Sequence, residues 1–125
     1  MKHWWVNLPK KYFATAHFLW AVVVFGLHAM PSASFPKITF WESLGPDKFV
    51  HSFMFFTAIA LAVFSGWGRL KSFLIWSFAG VLLEYYQFYF TTDRSFDWLD
   101  VTADISGILI FISLSRIFFP TTSVN

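Results

Sequence analysis

The chain of 125 residues contains no cysteine and few charged residues. Without cysteine it can form neither a disulfide nor a thiolate metal site, and its redox compartment cannot be inferred. Charged residues make up 13% of the chain, whereas a soluble domain carries about 25%. No basic run exceeds Lys10-Lys11, so a nucleic-acid partner is not indicated.

Apolar and aromatic residues dominate instead. Hydrophobic residues make up 57% of the sequence, with 18 Phe and 7 Trp. This composition indicates that the lipid bilayer, rather than water, surrounds most of the chain. At this length one domain is expected, covering residues 1–125.

Four apolar segments approach the ~20 residues that a helix needs to cross hydrocarbon. They are Tyr12–Met30, Lys48–Trp67, Leu70–Phe90 and Trp98–Phe119. We therefore predict an all-α integral membrane bundle of four transmembrane helices. The connections Ser65–Lys71 and Thr91–Asp97 are short enough to make antiparallel hairpins. The longer link Pro31–Pro46 is predicted to lie on the membrane interface, between the first and second helices.

Lysine and arginine are distributed unequally between the two predicted sides. Six lie on the side of the termini and three on the other; the first group is Lys2, Lys10, Lys11, Arg69, Lys71 and Arg116, and the second is Lys37, Lys48 and Arg94. By the positive-inside rule, both termini are cytoplasmic. The expected location is a bacterial inner membrane, crossed several times, with all acidic residues toward the outer face.

A cleavable signal peptide in residues 1–33 is the competing interpretation of the first segment. The chain starts with basic residues and continues into an apolar run. However, that run is long for a signal peptide, contains His17 and His28, and is followed by no clear cleavage site. A first membrane helix is the favoured prediction.

Polar residues recur at helical spacing in the last three segments. Ionisable groups within a membrane are costly and usually functional. The stripes also contain small residues such as Gly80 and Gly107, which let helices approach closely, so we expect them to face one another. The candidate ligand-binding residues are Asp47, Lys48, His51, Glu84, Gln87, Arg94, Asp97, Asp100 and Asp104.

The carboxyl groups of this set outnumber its fixed cations. Neutralisation then needs either protonated carboxyls or a bound cation. Arg94 is expected to pair with Asp97 or Asp100, because its planar fork can bind a carboxylate through two hydrogen bonds. His51 is expected to contact Asp47, Glu84 or Asp104.

Structural roles remain open for the same residues. Asp47 and Asp97 suit helix N-caps. Glu84 and Asp104 could form interhelical hydrogen bonds, and His51 could be a core residue. His17 and His28 are assigned to packing or to the interface.

Three motifs occur in order along the chain. They are D-K-x-x-H from Asp47, E-x-x-Q from Glu84, and R-S-x-D-x-x-D-x-x-x-D-x-x-G from Arg94 to Gly107. Together they resemble the VanZ-like family of small bacterial membrane proteins. The resemblance runs from about Pro31 into the fourth segment. Two departures are Asp104, where the family usually has Asn, and Thr92-Asp93, where it often has Pro-Gly.

The resemblance implies a compact inner-membrane protein of the cell envelope, in a family named after a protein associated with teicoplanin resistance. The residues themselves leave two main classes of function open, with a proton-coupled transporter subunit as a weaker third. One is a non-catalytic protein that binds an amphiphile or a lipid head group in a polar pocket of the outer leaflet. The other is a membrane-embedded enzyme acting on a lipid head group, with a metal held by His51, Glu84, Asp100 and Asp104.

Overall fold

The computed structural model describes residues 8–31, 46–91 and 94–119. These residues form four α-helices: α1 (Lys10–Ala29), α2 (Pro46–Phe64), α3 (Arg69–Phe90) and α4 (Trp98–Phe118). The predicted all-α class is confirmed. Three of the helices, α1, α2 and α4, are long and apolar enough to cross a membrane. The link predicted to lie on the interface falls almost entirely outside the described residues.

The helix bounds differ from the prediction by up to three residues, most clearly at the end of α2. The second segment was expected to continue to Trp67, but the helix stops at Phe64. Gly66 has a φ of 106°, the left-handed conformation that glycine adopts without strain. Its N–H donates to Val63 and the N–H of Trp67 donates to Ala62, which is the Schellman arrangement that ends helices.

The core of the bundle forms where α2 meets the other three helices. Phe55, Ala58, Ile59 and Ala62 of α2 are completely buried. Their spacing places them on one face of the helix. Large apolar side chains on the opposite faces, such as Phe49 and Phe53, are exposed, as expected for a surface that contacts lipid.

The closest approach in the bundle is between α2 and α4. These two helices share the most extensive packing. A Cβ atom at Gly107 would lie 2.0 Å from the carbonyl oxygen of Ser52, so only glycine fits there. The expected close-packing role of Gly107 is confirmed, and this approach positions the polar residues one turn away.

Alternating helix directions give the bundle two chemically different ends. The last turns of α1 and α3 and the first turns of α2 and α4 share one end. The opposite end holds the start of α1, where Lys10 lies against Gly66, and the end of α4, where Arg69 contacts Phe119. We call the first the acidic end, defined by Asp47, Asp97, Asp100 and Asp104. We call the second the basic end, defined by Lys10, Arg69, Ser115 and Phe119.

Candidate functional site

Lys48 organises the acidic end. Its Nζ lies 3.0 Å from Asp47 Oδ2 and 2.8 Å from Asp97 Oδ2, and it also contacts Asp100. A lysine ammonium has three N–H donors, so each carboxylate receives one. The cation therefore joins the first turn of α2 to the first turn of α4.

The sequence predicts that Arg94 pairs with Asp97 or Asp100. Lys48 contacts both carboxylates in the structure. Arg94 lies half-buried shortly before α4, and its pairing with either carboxylate stays a prediction. Lys48 contacts both carboxylates because it lies on α2, the helix packed most closely against α4. Its long side chain reaches across the interface between the two helices.

Asp97 has two roles at the start of α4. Its Oδ1 accepts a hydrogen bond of 2.8 Å from the Leu99 N–H, which makes it the N-cap of the helix. Hydrogen bonding from Lys48, helped by that from Leu99, lowers the pKa of Asp97 below its ordinary value. The N-cap role left open by the sequence is confirmed for this residue, together with an ion pair.

Below this ion network lies a second layer of polar side chains. His51 Nδ1 is 2.9 Å from Asp104 Oδ1, and His51 Nε2 is 3.8 Å from Asp100 Oδ2. Asp104 is completely buried. The expectation that His51 contacts Asp47, Glu84 or Asp104 is confirmed for Asp104.

α3 contributes Glu84 and Gln87 to the same end. Both are buried, and Glu84 Oε2 accepts a hydrogen bond of 3.2 Å from the Asp97 N–H. The predicted burial of Glu84, Asp100 and Asp104 inside the bundle is confirmed, since the Asp100 side chain is only 14% exposed and the other two are fully buried. The structure thus brings together the polar stripes of α2, α3 and α4.

His28 of α1 also belongs to this cluster, although the sequence was interpreted as placing it in packing or at the interface. It is 1% exposed, and its ring meets that of His51 edge-on with centroids 5.1 Å apart. A signal was present in the spacing: His28 follows His17, Ala21 and Val24 at intervals of four, three and four residues, the pattern of one helix face.

Several buried polar atoms of this cluster have no hydrogen-bond partner in the part of the chain that the structure describes. They include His28 Nε2, Glu84 Oε1, Gln87 Nε2 and Asp104 Oδ2. Leaving such atoms unpaired is costly, and most buried polar groups in proteins are paired. These four atoms all lie at the acidic end of the bundle.

Two overlapping groups could hold a metal ion. One comprises His28, His51 and Asp104, and the other His51, Glu84 and Asp100; within each, one ligand atom per residue lies within 4.8 Å of the others. His51 is common to both groups. Imidazole and carboxylate together suit first-row transition metals.

An apolar groove of about 680 Å³ lies between α1 and α3. Leu83 directly precedes Glu84, and Ala29 directly follows His28. The lining residues are Phe18, Ala21, Val22, Phe25, Gly26, Ala29, Leu82, Leu83 and Tyr86. On each of the two helices, one residue that lines the groove is thus the sequence neighbour of a residue of the polar cluster.

No protein-family model, curated protein or solved structure matches the chain.

Proposed function

We propose that this chain is a small envelope protein of the bacterial inner membrane that binds an amphiphile or a lipid head group at its acidic end. The observation that carries the proposal is the convergence of buried polar groups from four helices at that end, of which those from α1, α3 and α4 include atoms without a hydrogen-bond partner among the described residues. Such groups are expensive within a membrane and are retained where they serve a ligand.

The proposed topology has four crossings, with both termini cytoplasmic and the acidic end in the outer leaflet. Two observations support it. α3 has 22 residues and packs against the other three helices, so it suits a fourth crossing. The start of α1 and the end of α4 lie at the same, basic end, in accord with the positive-inside rule.

Reporter fusions test this topology directly. Fusions after Arg69 and after Asn125 should report the cytoplasm, and fusions within residues 32–43 should report the outside. An outside signal at Asn125 would contradict the four crossings.

The chemistry of the two neighbouring surfaces favours a ligand with a cationic head and an apolar tail. Among the described residues, five carboxyl groups at the acidic end exceed the two fixed cations, Lys48 and Arg94. The groove between α1 and α3 lies in the size range of small-molecule pockets, about 300–1,000 Å³. A head group at the carboxylates would place an acyl chain in this groove.

Native mass spectrometry of the purified protein tests the preference. The probes are phosphatidylethanolamine, whose head carries an ammonium group, and phosphatidylglycerol with identical acyl chains. We expect more phosphatidylethanolamine to remain bound, because its ammonium can replace part of the missing positive charge. Equal retention of both lipids, or a preference for phosphatidylglycerol, would overturn this proposal.

The resemblance to VanZ-like proteins supports a role in resistance to glycopeptides or lipopeptides. Such drugs act at the outer face of the membrane, where we place the acidic end. Expression of this chain in a susceptible bacterium should then raise the inhibitory concentration of teicoplanin. An unchanged inhibitory concentration, with the protein present in the membrane, would remove the resistance role and leave lipid binding to be judged by mass spectrometry.

A second candidate is a membrane-embedded enzyme that hydrolyses a lipid head group. The observation favouring it is that His51, Glu84 and Asp100 each offer a ligand atom within 4.8 Å of the others. A metal ion held there would bind a water, and a metal-bound water is a strong nucleophile at neutral pH. Incubation with phosphatidylethanolamine and Zn²⁺ should release a water-soluble head group. Intact lipid after prolonged incubation would leave the non-catalytic function.

A further inference from the structure

We infer that His28, His51 and Asp104 form a binding site for a divalent transition-metal ion of the Zn²⁺ type. The inference stands on the geometry of these residues and does not depend on lipid binding. It assigns a function to α1, which sequence analysis treated as a helix without site residues.

His28 is oriented as a metal ligand. Its Nδ1 lies 2.7 Å from the carbonyl oxygen of Val24. A carbonyl can only accept, so Nδ1 carries the hydrogen and Nε2 holds a free lone pair. Metal-binding histidines are typically held this way, with the other ring nitrogen donating to a carbonyl or carboxylate. Nε2 is buried and has no hydrogen-bond partner within residues 8–31, 46–91 and 94–119.

Asp104 presents the second ligand from the opposite side of the bundle. One carboxylate oxygen contacts His51, while Oδ2 is buried without a hydrogen-bond partner among the described residues. Gly80 of α3 leaves the space at this oxygen, because a Cβ atom there would lie 3.0 Å from Oδ2. The glycine thus keeps the carboxylate free of a covering side chain.

The spacing of the three residues suits one ion. Their ligand atoms lie within 4.8 Å of one another. Zn²⁺ binds nitrogen and oxygen at about 2.0–2.2 Å, which places tetrahedral ligands about 3.4 Å apart. A small inward movement of the side chains would close the site around an ion.

The donor set selects the class of metal. Two imidazoles and one carboxylate favour Zn²⁺ and its first-row neighbours, whereas Mg²⁺ and Ca²⁺ prefer oxygen ligands alone. When Asp104 is ionised, His28 Nε2 and Asp104 Oδ2 are both acceptors, so they cannot form a hydrogen bond with each other. A cation is the complement that satisfies both.

Metal content of the full-length protein in detergent tests the inference. The protein is stripped with a chelator, dialysed against Zn²⁺ and analysed by elemental mass spectrometry. We expect about one zinc ion per chain in the wild type, and at least about tenfold weaker binding in His28→Phe, as ligand or support-residue changes usually cause. His17→Phe is the matched control: His17 lies on the same helix, but its Nε2 accepts a hydrogen bond of 3.1 Å from Trp76.

Co²⁺ in place of Zn²⁺ gives a second measurement, because its visible absorption reports the ligands directly. The wild type and His17→Phe should show the intense bands of a low-coordinate Co²⁺ site, and His28→Phe should lose them. If His28→Phe does not fold, Asp104→Asn replaces it, since this change keeps the side-chain shape. A wild type that takes up no zinc on dialysis would refute the site. A His28→Phe or Asp104→Asn protein that binds as much zinc as the wild type would also refute it. A wild type that takes up no zinc on dialysis yet retains lipid would refute the metal site and leave the proposed lipid binding in place.

Discussion

The two ends of the helix bundle hold their polar side chains in different ways. At the basic end, Arg69 donates from Nε to Ser115 Oγ at 3.0 Å and from Nη2 to the carbonyl oxygens of Ser115 and Phe119. Ser115 Oγ in turn donates to Ile112. This is a cationic cap on the negative end of the α4 dipole, and it serves stability.

The acidic end combines strong pairing with incomplete pairing. Lys48 is surrounded by three carboxylates, yet buried atoms of His28, Glu84 and Asp104 have no hydrogen-bond partner among the described residues. Proteins accept such unsatisfied groups at functional sites and compensate elsewhere. The polar groups at the basic end thus close the bundle, whereas those at the acidic end form the site that we propose for a ligand.

The largest effect is expected from Gly107→Ala, which separates the helices carrying the acidic end. The new methyl group would collide with the Ser52 carbonyl at 2.0 Å. The nearest atom is backbone and cannot rotate away, so the loss of stability should reach or exceed the about 1–3 kcal/mol typical of overpacking. Thermal unfolding in detergent measures it. Gly26→Ala is the control, because a Cβ there meets nothing within 4 Å, and equal unfolding of the two variants would refute the close approach.

Lys48→Met should have the next largest effect, because it leaves three carboxylates without their shared cation. Hydrogen bonds to charged groups are each worth about 1.5–3 kcal/mol, and partial exposure of this site places the expected loss near the lower figure. Chemical unfolding compares this variant with Arg116→Met, which removes an exposed cation near the basic end. A surface change of that kind costs less than about 0.5 kcal/mol. Similar stability of both variants would mean that the network is a set of solvated charges.

Arg69→Met tests whether the basic end contributes to stability alone. Loss of the helix cap should cost about 1–2 kcal/mol, while lipid and zinc binding stay unchanged because the acidic end is untouched. Unfolding and native mass spectrometry on the same preparation measure both properties. Loss of ligand binding at preserved fold would show that the two ends are coupled.

The smallest effect concerns the protonation of Asp97. Its folded pKa lies below the unfolded value, so its contribution to stability is complete above the unfolded pKa, about 3.9, and is lost as the pH falls through the folded pKa. Asp97→Asn keeps a good N-cap but removes the charge. The stability difference between wild type and this variant should be constant from about pH 7 to pH 5 and shrink only below about pH 4. A difference that disappears above pH 5 would contradict the ion pair with Lys48.

Helical periodicity was sufficient to predict much of this structure. The spacing of Ala58 and Ala62, and that of Glu84 and Gln87, identified faces that are buried in the bundle. Short connections and small residues then predicted which stripes meet. These features depend on local geometry and on the sequence itself.

Two features could not be obtained in this way. The position of α1 depends on packing, such as the hydrogen bond from Trp20 to Met54, and the spacing of His28 indicates a helix face but not which side chains that face meets. The contacts of Lys48 with Asp97 and Asp100 depend on side-chain reach across the α2–α4 interface. Predicting these two features requires the tertiary structure. The end of α2 is different: Gly66 is a local signal in the sequence for the end of a helix, and the prediction to Trp67 did not use it.

Glu84→Gln tests most directly whether the acidic end serves a ligand rather than the fold. The amide keeps the shape of the side chain and its bond to the Asp97 N–H, but removes a buried charge. If the site serves a ligand, the variant should unfold within about 0.5 kcal/mol of the wild type and lose retention of phosphatidylethanolamine in native mass spectrometry. A variant that unfolds more easily yet retains the lipid as the wild type does would show that Glu84 holds the bundle together, and would contradict the account.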